Sequence, residues 1–475
     1  MKTIEIRPHK CIVLSFVYPY LSLLFIPVVR GISSYGQGGA LSTFFIGEAI
    51  VAFIVSVIAI LKWYRFHCFI SEDAVIIKKG LFYRVEFNIP TEKIGIIALD
   101  KSPLLSLVGA RGLKIYTESG KSKKATVDIP IKISDANNIN ALYYDQTPQK
   151  IYHCHLLKTI IMSATVSSAA TGLLIAAPII SQTGKLIGAS LSDMILAEIT
   201  KVSERLPSII PTAASVISIV LMAGYMISFI NAFLRNINFE IFKNNDTLVI
   251  DAGVFPHRTI MLDIKDIRAV SIVQNPVMQL LRHYTVKMSI SAYGKSKNEV
   301  SVLLPAVTKQ EINNFFTEFL PDWENSDVDN RPPASSIGRF IIPPVVSLLA
   351  AFPAQWILSR YYPQFSDLFL FLAYVLIGLS FILGATKIRQ FIRGGISFGD
   401  TITMISGRYL SLVELRVKHS DVEYFRIFRY PQDYLSGLCR LKIAVRNKNG
   451  DKLFFISLNY KTFRKNLLNK YNIVD

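Results

Sequence analysis

Asp73-Ala-Val-Ile-Ile-Lys-Lys-Gly80 decides how the chain is read, because the pattern returns as Asp246-Thr-Leu-Val-Ile-Asp-Ala-Gly253 and as Asp400-Thr-Ile-Thr-Met-Ile-Ser-Gly407. In each copy Asp and Gly stand seven apart around an apolar, largely β-branched stretch. Pro103, Pro276 and Pro431 follow the Asp by 30, 30 and 31 residues. Twelve residues after each Pro comes Ile115, Met288 or Ile443. A glycine turn follows, at Ser119-Gly120, Tyr293-Gly294 and Asn449-Gly450. Order and spacing kept three times mark an internal repeat.

Each copy reads as short strands and one helix. In the first, 75–78, 81–89, 94–99, 113–117 and 125–129 are short, rich in β-branched and apolar residues, and separated by turn signals. Thr308-Lys-Gln-Glu311 is a capping box ahead of Ile312, Phe315, Phe316 and Phe319. Ser134 and Asn459 stand where they would cap the equivalent helices, which carry Ile139, Ala141 and Leu142, and Phe463, Leu467 and Leu468. Strands closed by one apolar-faced helix predict a small antiparallel barrel or sandwich plugged by that helix.

Between the copies lie apolar runs. The stretches 12–29, 44–61, 159–180, 208–230, 340–358 and 368–385 each approach the roughly 20 residues that cross a bilayer core. Glu48 is the one charge inside them, near the end of its run that faces the short connection, and headgroup level is its expected depth. The runs pair into three hairpins, and Pro19 and Pro27 argue against a cleaved signal peptide for the first. The connection 181–207 repeats apolar residues at helical spacing. It suggests either an amphipathic helix on the outer face, about 186–206, or a helical extension packed on its neighbours. A composition of 51% hydrophobic and 18% charged residues excludes a disordered chain, and four Cys exclude a disulfide scaffold.

The net charge of +18 is unevenly placed. Of 52 Lys and Arg, 47 fall in 1–10, 62–158, 231–339 and 385–475, and few in the hairpin connections. Both termini and all three copies are therefore expected on the cytoplasmic side of the cell membrane. The expected organisation is a first hairpin in 1–61, a head in 62–150, a second hairpin in 151–230, a head in 231–330, a third hairpin in 331–385 and a head in 386–475.

No motif for a catalytic site emerges: there is no phosphate-binding glycine loop, nucleophile elbow or His-Glu-x-x-His. His153-Cys154-His155 with His67-Cys68 is the one metal-like cluster, but 153 and 155 would share a strand face without 154, so it is read as ordinary juxtamembrane sequence. No catalytic residue, metal or cofactor is expected. The basic turns carry the binding expectation: Lys121, Lys123 and Lys124 in one, and Arg446, Lys448 and Lys452 in the other, as lipid- or partner-binding residues.

The first copy resembles a known family. The basic stretch Trp63–Phe66, the run 70–80, Ile89-Pro-Thr-Glu-Lys-Ile94, Lys101-Ser-Pro-Leu-Leu-Ser-Leu-Val-Gly109 and Gly112-Leu-Lys-Ile-Tyr-Thr117 are similar to bacterial pleckstrin-homology-like membrane proteins. Three tandem copies on hairpins resemble the YdbT-like members. The second copy departs in carrying Arg282 at the position of Gly109, and the third lacks the Ile-Pro pair and gains one residue. The resemblance implies an α-helical membrane protein with six transmembrane helices as three hairpins, and three cytosolic α+β PH-like domains. It implies no catalytic residues, and as partner a smaller one-domain relative. The function expected is a non-enzymatic platform at the bacterial inner membrane. It would bind a protein partner or anionic lipid, with a role in envelope stress or antimicrobial resistance, and association into oligomers is allowed. The alternative is a transport or export component with regulatory heads, and a lipid-modifying enzyme is a weaker third. Nucleic acid is not expected as a partner, since the basic parts are tethered to a membrane.

Overall fold

The computed structural model describes residues 4–17, 41–71, 73–81, 83–117, 125–144, 148–168, 212–254, 256–290, 302–323, 328–408, 410–445 and 452–471. They fold as two compact units.

The first unit begins with β1 (Ile4–Ile6) and the apolar helix α1 (Leu41–Tyr64). Then follow β2 (His67–Ile70), β3 (Ala74–Lys79), β4 (Val85–Pro90), β5 (Ile94–Lys101), the short helix α2 (Pro103–Leu107), β6 (Ala110–Thr117), β7 (Val127–Lys132), α3 (Ile133–Tyr144) and β8 (Lys150–His153). Three strands from later in the chain complete it: β9 (Glu240–Asn244), β10 (Thr247–Ala252) and β11 (His257–Asp263). One sheet has the order β1-β2-β3-β4 and the other β7-β6-β5-β11-β10-β9-β8. Ile70, Val75, Ile77 and Ile89 of the first sheet share a core with Ile97, Leu99, Leu113 and Ile115 of the second. Ala136 and Ile139 of α3 plug that core. Ala141 is exposed, so the helix presents a narrower apolar face than its sequence suggests. Ser134 lies inside α3 and bonds Asp135, so it is not the cap.

The second unit opens with α4 (Leu156–Val166) and α5 (Thr212–Asn236). It continues through β12 (Ile267–Gln274), α6 (Pro276–Leu281), β13 (Tyr284–Ile290), β14 (Val302–Val307) and α7 (Lys309–Phe319). Two long helices, α8 (Ile337–Tyr361) and α9 (Ser366–Arg393), precede β15 (Gly395–Phe398), β16 (Thr401–Arg408), β17 (Ser411–Lys418), β18 (Val422–Phe428), α10 (Pro431–Leu435), β19 (Leu438–Val445), β20 (Lys452–Asn459) and α11 (Tyr460–Tyr471). Its sheets run β14-β13-β12-β17-β16-β15 and β18-β19-β20. Each described sheet is open, none joining its first strand to its last, and of the expected barrel or sandwich the described residues show layered antiparallel sheets without closure. Thr308 and Glu311 form the expected capping box of α7, and Glu311 also pairs with Lys158 of α4 at 2.5 Å. Asn459 accepts from the Thr462 N–H and caps α11.

α8 and α9 form an antiparallel hairpin. Phe340 packs on Phe391, Ser380 Oγ donates to Ser347 Oγ at 2.8 Å, and Phe352 meets Tyr374. α8 continues through Pro343, Pro344 and Pro353. Among the described residues the segments long and apolar enough to cross a membrane are Ser218–Asn236, Ala334–Tyr361 and Pro363–Arg393. Most of the expected spans 12–29 and 159–180, and the connection 181–207, lie outside the described residues. The expected span 44–61 falls within α1, where the side chain of Glu48 is not described. In three places a strand before an apolar segment bonds to the strand after it: β1 with β2, β8 with β9, and Asn330 with Ile396 of β15. Each segment thus leaves and re-enters the same head at adjacent strands.

The repeat-defining residues occupy matching positions. Asp73, Asp246 and Asp400 each directly precede a strand, β3, β10 and β16. Gly80 and Gly253 follow theirs with φ of +121° and +89°. A Cβ on Gly80 would lie 1.9 Å from the Tyr83 carbonyl oxygen. Gly407 is in register with them but stays inside β16, where the hairpin to β17 is tighter; its missing side chain leaves room for Gln390. Pro103, Pro276 and Pro431 each open a one-turn helix. A left-handed residue ends each turn: Gly109, Arg282 and Gly437 at φ +72°, +56° and +64°. Ile115, Met288 and Ile443 are all buried, opposite Ile97, Val270 and Phe425. A bulge recurs at Ile94/Ile96, Ile267/Ala269 and Val422/Tyr424.

The pairing crosses from one repeat to the next. β5 of the first repeat bonds antiparallel to β11 of the second, from Ile96↔Leu262 to Lys101↔His257. β12 of the second bonds in the same way to β17 of the third, from Ala269↔Val417 to Gln274↔Leu412. At the first junction Asp100 takes Arg258 at 2.6 Å and Lys114 at 2.9 Å. Burial works to raise the Asp100 carboxyl, but the two cations outweigh it and hold it below its ordinary value.

Two predictions follow from this architecture. Nothing lies near a Cβ at Gly109, so Gly109→Ala costs only its backbone conformation, about 1 kcal/mol; a lowered thermal midpoint in detergent is expected, and an unchanged one contradicts the left-handed turn. Because the folded Asp100 pKa is depressed, its contribution is complete above the ordinary carboxylate range and is lost as pH falls through the lower folded value. Asp100→Asn should remove roughly 3 kcal/mol at neutral pH and flatten the acid limb of the stability curve; an unchanged acid limb counts against the pairing.

Candidate functional site

In the second unit a cavity of about 410 Å³ opens between β12, β13, α7, β16, β17 and the last turn of α9. Its lining includes Gln274, Tyr284, Lys309, Arg331, Arg393, Glu414 and Arg416. Arg416 is fully committed: it donates to Glu414 at 2.6 and 2.8 Å and to the Trp323 carbonyl at 2.6 Å, and stacks over Phe316. This takes up the one carboxylate of the lining. Lys309, Arg331 and Arg393 add three exposed positive charges, so the cavity presents a positive field to solvent. Arg393 donates to the Tyr284 hydroxyl at 3.3 Å, which steadies its guanidinium at the rim. Eight residues separate Arg393 from the apolar run ending at 385, a rise of roughly 12 Å along α9. The concentration of Arg suits oxyanions, whose geometry the guanidinium fork matches.

A second feature recurs in each repeat. Leu107, Leu280 and Leu435 occupy the same place on the one-turn proline helices and are 84%, 81% and 93% exposed. In the second unit both such helices are tied to apolar helices. Met278 of α6 packs with Met162 of α4, and Asn275 donates to the Thr165 carbonyl. Asp433 of α10, wholly buried, pairs with Arg339 near the start of α8 at 2.6 Å. An exposed leucine fixed beside the end of an apolar helix fits an interfacial depth better than open water. In the first unit a more apolar groove of about 500 Å³, lined by Ile12, Phe16, Phe66 and Phe87, carries Lys62 and Lys79.

The residues expected from sequence to bind lipid or partner fall elsewhere. Lys121, Lys123, Lys124, Arg446 and Lys448 lie outside the described residues; Lys452 opens β20, with its side chain not described. Sequence reasoning missed the cavity because its cations come from two repeats that only the β12–β17 pairing brings together. A partial signal was present in Lys387, Arg389 and Arg393 after the sixth apolar run. The metal-like cluster also resolves. The His67 ring bonds Glu5, while burial pushes the Cys68 thiol up to about 12, far from a thiolate ligand. Among the described residues no group of three or more His, Cys, Asp or Glu is placed to hold a metal.

Long apolar helices joined to antiparallel sandwich heads define a transmembrane protein with small β-rich domains. The family model described as Bacterial PH domain matches residues 22–147 and 194–317, more than half of the chain, and the chain belongs to that family. Over 315 residues it is 24% identical to the UPF0699 transmembrane protein YdbT of Bacillus subtilis (strain 168), a match covering 61% of this chain and 63% of that protein. The chain therefore matches less than two thirds of that relative's length. No solved structure matches.

Proposed function

We propose that this protein is a non-enzymatic platform of the bacterial cell membrane whose PH-like heads bind anionic lipid headgroups at the cytoplasmic leaflet. The observation that carries this reading is the cavity at the end of α9, where Lys309, Arg331 and Arg393 face an opening whose one carboxylate is already engaged. Its place beyond an apolar helix puts it within reach of headgroups, and its volume suits a phosphate-bearing group with part of its glycerol. The exposed leucines would seat the heads in the interface, and the cations would select anionic lipid over zwitterionic lipid. All six apolar runs would span the membrane as three hairpins with both termini in the cytoplasm. That arrangement is supported by the 47 cations outside the hairpins and by strands that return each apolar segment to its own head. The positive charge is concentrated in the first and third copies, net +6 over 62–158 and +10 over 385–475, while 231–339 is neutral. A contribution to envelope stress or antimicrobial resistance would follow from binding of anionic lipid by these heads.

The test uses the full chain purified in mild detergent, with retained phosphatidylglycerol counted by native mass spectrometry. Each cation near an anionic surface is worth about 1 kcal/mol, so Lys309→Gln with Arg393→Gln should weaken retention roughly 30-fold. Retention of phosphatidylcholine should not change. Equal phosphatidylglycerol retention in the wild type and the double variant contradicts the reading.

A further inference from the structure

The two junctions between repeats follow one rule. The first strand of one repeat's second sheet pairs with the last strand of the next repeat's first sheet: β5 with β11, then β12 with β17. The registers are superimposable. Ile96 and Ala269 are each the first paired residue after the recurring bulge, and they meet the equivalent residues Leu262 and Val417.

This rule leaves two strands over. β18 is the third repeat's counterpart of β5 and β12, and among the described residues it pairs only with β19. β4 is the first repeat's counterpart of β11 and β17, and among the described residues it pairs only with β3. Burial tracks the vacancy. Seven of the eight residues of β5 are buried, whereas no residue of β18 is, and β4 buries only Ile89. Phe87 and Tyr424 remain 43% and 40% exposed. A strand edge left open is a template for another strand unless it is blunted. β18 (Val-Glu-Tyr-Phe-Arg-Ile-Phe) is mostly aromatic and apolar, with no proline or lysine.

We propose that the protein associates head to tail with a second copy of itself, β18 of one chain pairing antiparallel with β4 of the next. The occupant is a second copy because one chain already carries both halves of the junction, and its own two internal junctions show those halves fit. Carrying the internal register across gives Tyr424 opposite Ile89, Phe425 opposite Asn88, Arg426 opposite Phe87, Ile427 opposite Glu86 and Phe428 opposite Val85. This places Arg426 against an aromatic ring and Phe428 against a β-branched side chain, both favourable cross-strand pairs. Glu86 and Asn88 would take the positions that Glu414 and Arg416 hold at the second junction, so a polar pair there has an internal precedent. The contact is heterologous, so it builds a ring or a row in the membrane plane rather than a two-fold dimer. It concerns strand edges and does not depend on the lipid reading above.

The experiment co-expresses two differently tagged full-length chains, one with Phe87→Cys and one with Arg426→Cys, and oxidises the membranes mildly. Wild-type chains, which keep Cys11, Cys68, Cys154 and Cys439, set the background. A disulfide-linked species containing both tags is expected from the mixed pair, and its loss when either variant is expressed alone. Moving the second cysteine to Glu423 should abolish the link. The proposal is overturned by stably expressed mixed chains with no link above background. It is equally overturned by either variant linking to itself, by the doubly substituted single chain closing only within itself, or by linkage to a different protein.

Discussion

Backbone pairing between consecutive repeats is the constraint on which the rest of this molecule depends. β5 and β12 are flanked on both sides by strands, and at each junction one of the two neighbours comes from a different repeat. Their hydrogen-bonding groups are satisfied across what sequence periodicity marks as a boundary. A buried strand edge without a partner would leave a row of unmet donors and acceptors. The heads therefore differ from beads on a membrane string. Asp100 adds an electrostatic lock to the first junction, joining a carboxylate of one repeat to Arg258 of the next.

The same pairing makes the cavity in the second unit. Lys309 belongs to the closing helix of the second repeat, while Arg393 and Arg416 belong to the third. Neither repeat supplies the site alone. Arg416 would be a costly buried charge if β17 did not place it against Glu414, the Trp323 carbonyl and Phe316. Once it is satisfied, the remaining cations at the rim are left exposed to solvent.

Much of the fold is legible in the residues. The Asp–Gly spacing located three strands and Thr308-Lys-Gln-Glu311 located a closing helix with its cap, whereas Pro103, Pro276 and Pro431 marked equivalent positions without showing that each opens a one-turn helix. Each of these is a local rule, carried by a few neighbouring side chains. The hairpin of α8 and α9 was equally plain from length and polarity. The limits appear where geometry is non-local. Ile94–Lys101 is almost wholly apolar, which signals a strand buried on both faces, yet nothing in it names β11 as the second neighbour. The single residue gained by the third repeat was read as weakened resemblance; it is absorbed in a tighter β16–β17 turn that keeps Gly407 in the strand. Arg282 in place of glycine likewise kept the left-handed turn rather than abolishing it. Ser134 misled because a serine near a helix start is a cap only if the chain enters the helix after it.

The most direct test of the central claim is a disulfide trap across the first junction. Lys101 and His257 are paired at the end of β5 and β11, 156 positions apart in sequence. In the full chain carrying Lys101→Cys and His257→Cys, mild oxidation is expected to give a link within a single chain, read by peptide mass after proteolysis, while Lys101→Cys with Asp251→Cys gives none. Independent heads would leave the first pair unlinked or linked only between chains, and either result would contradict the account.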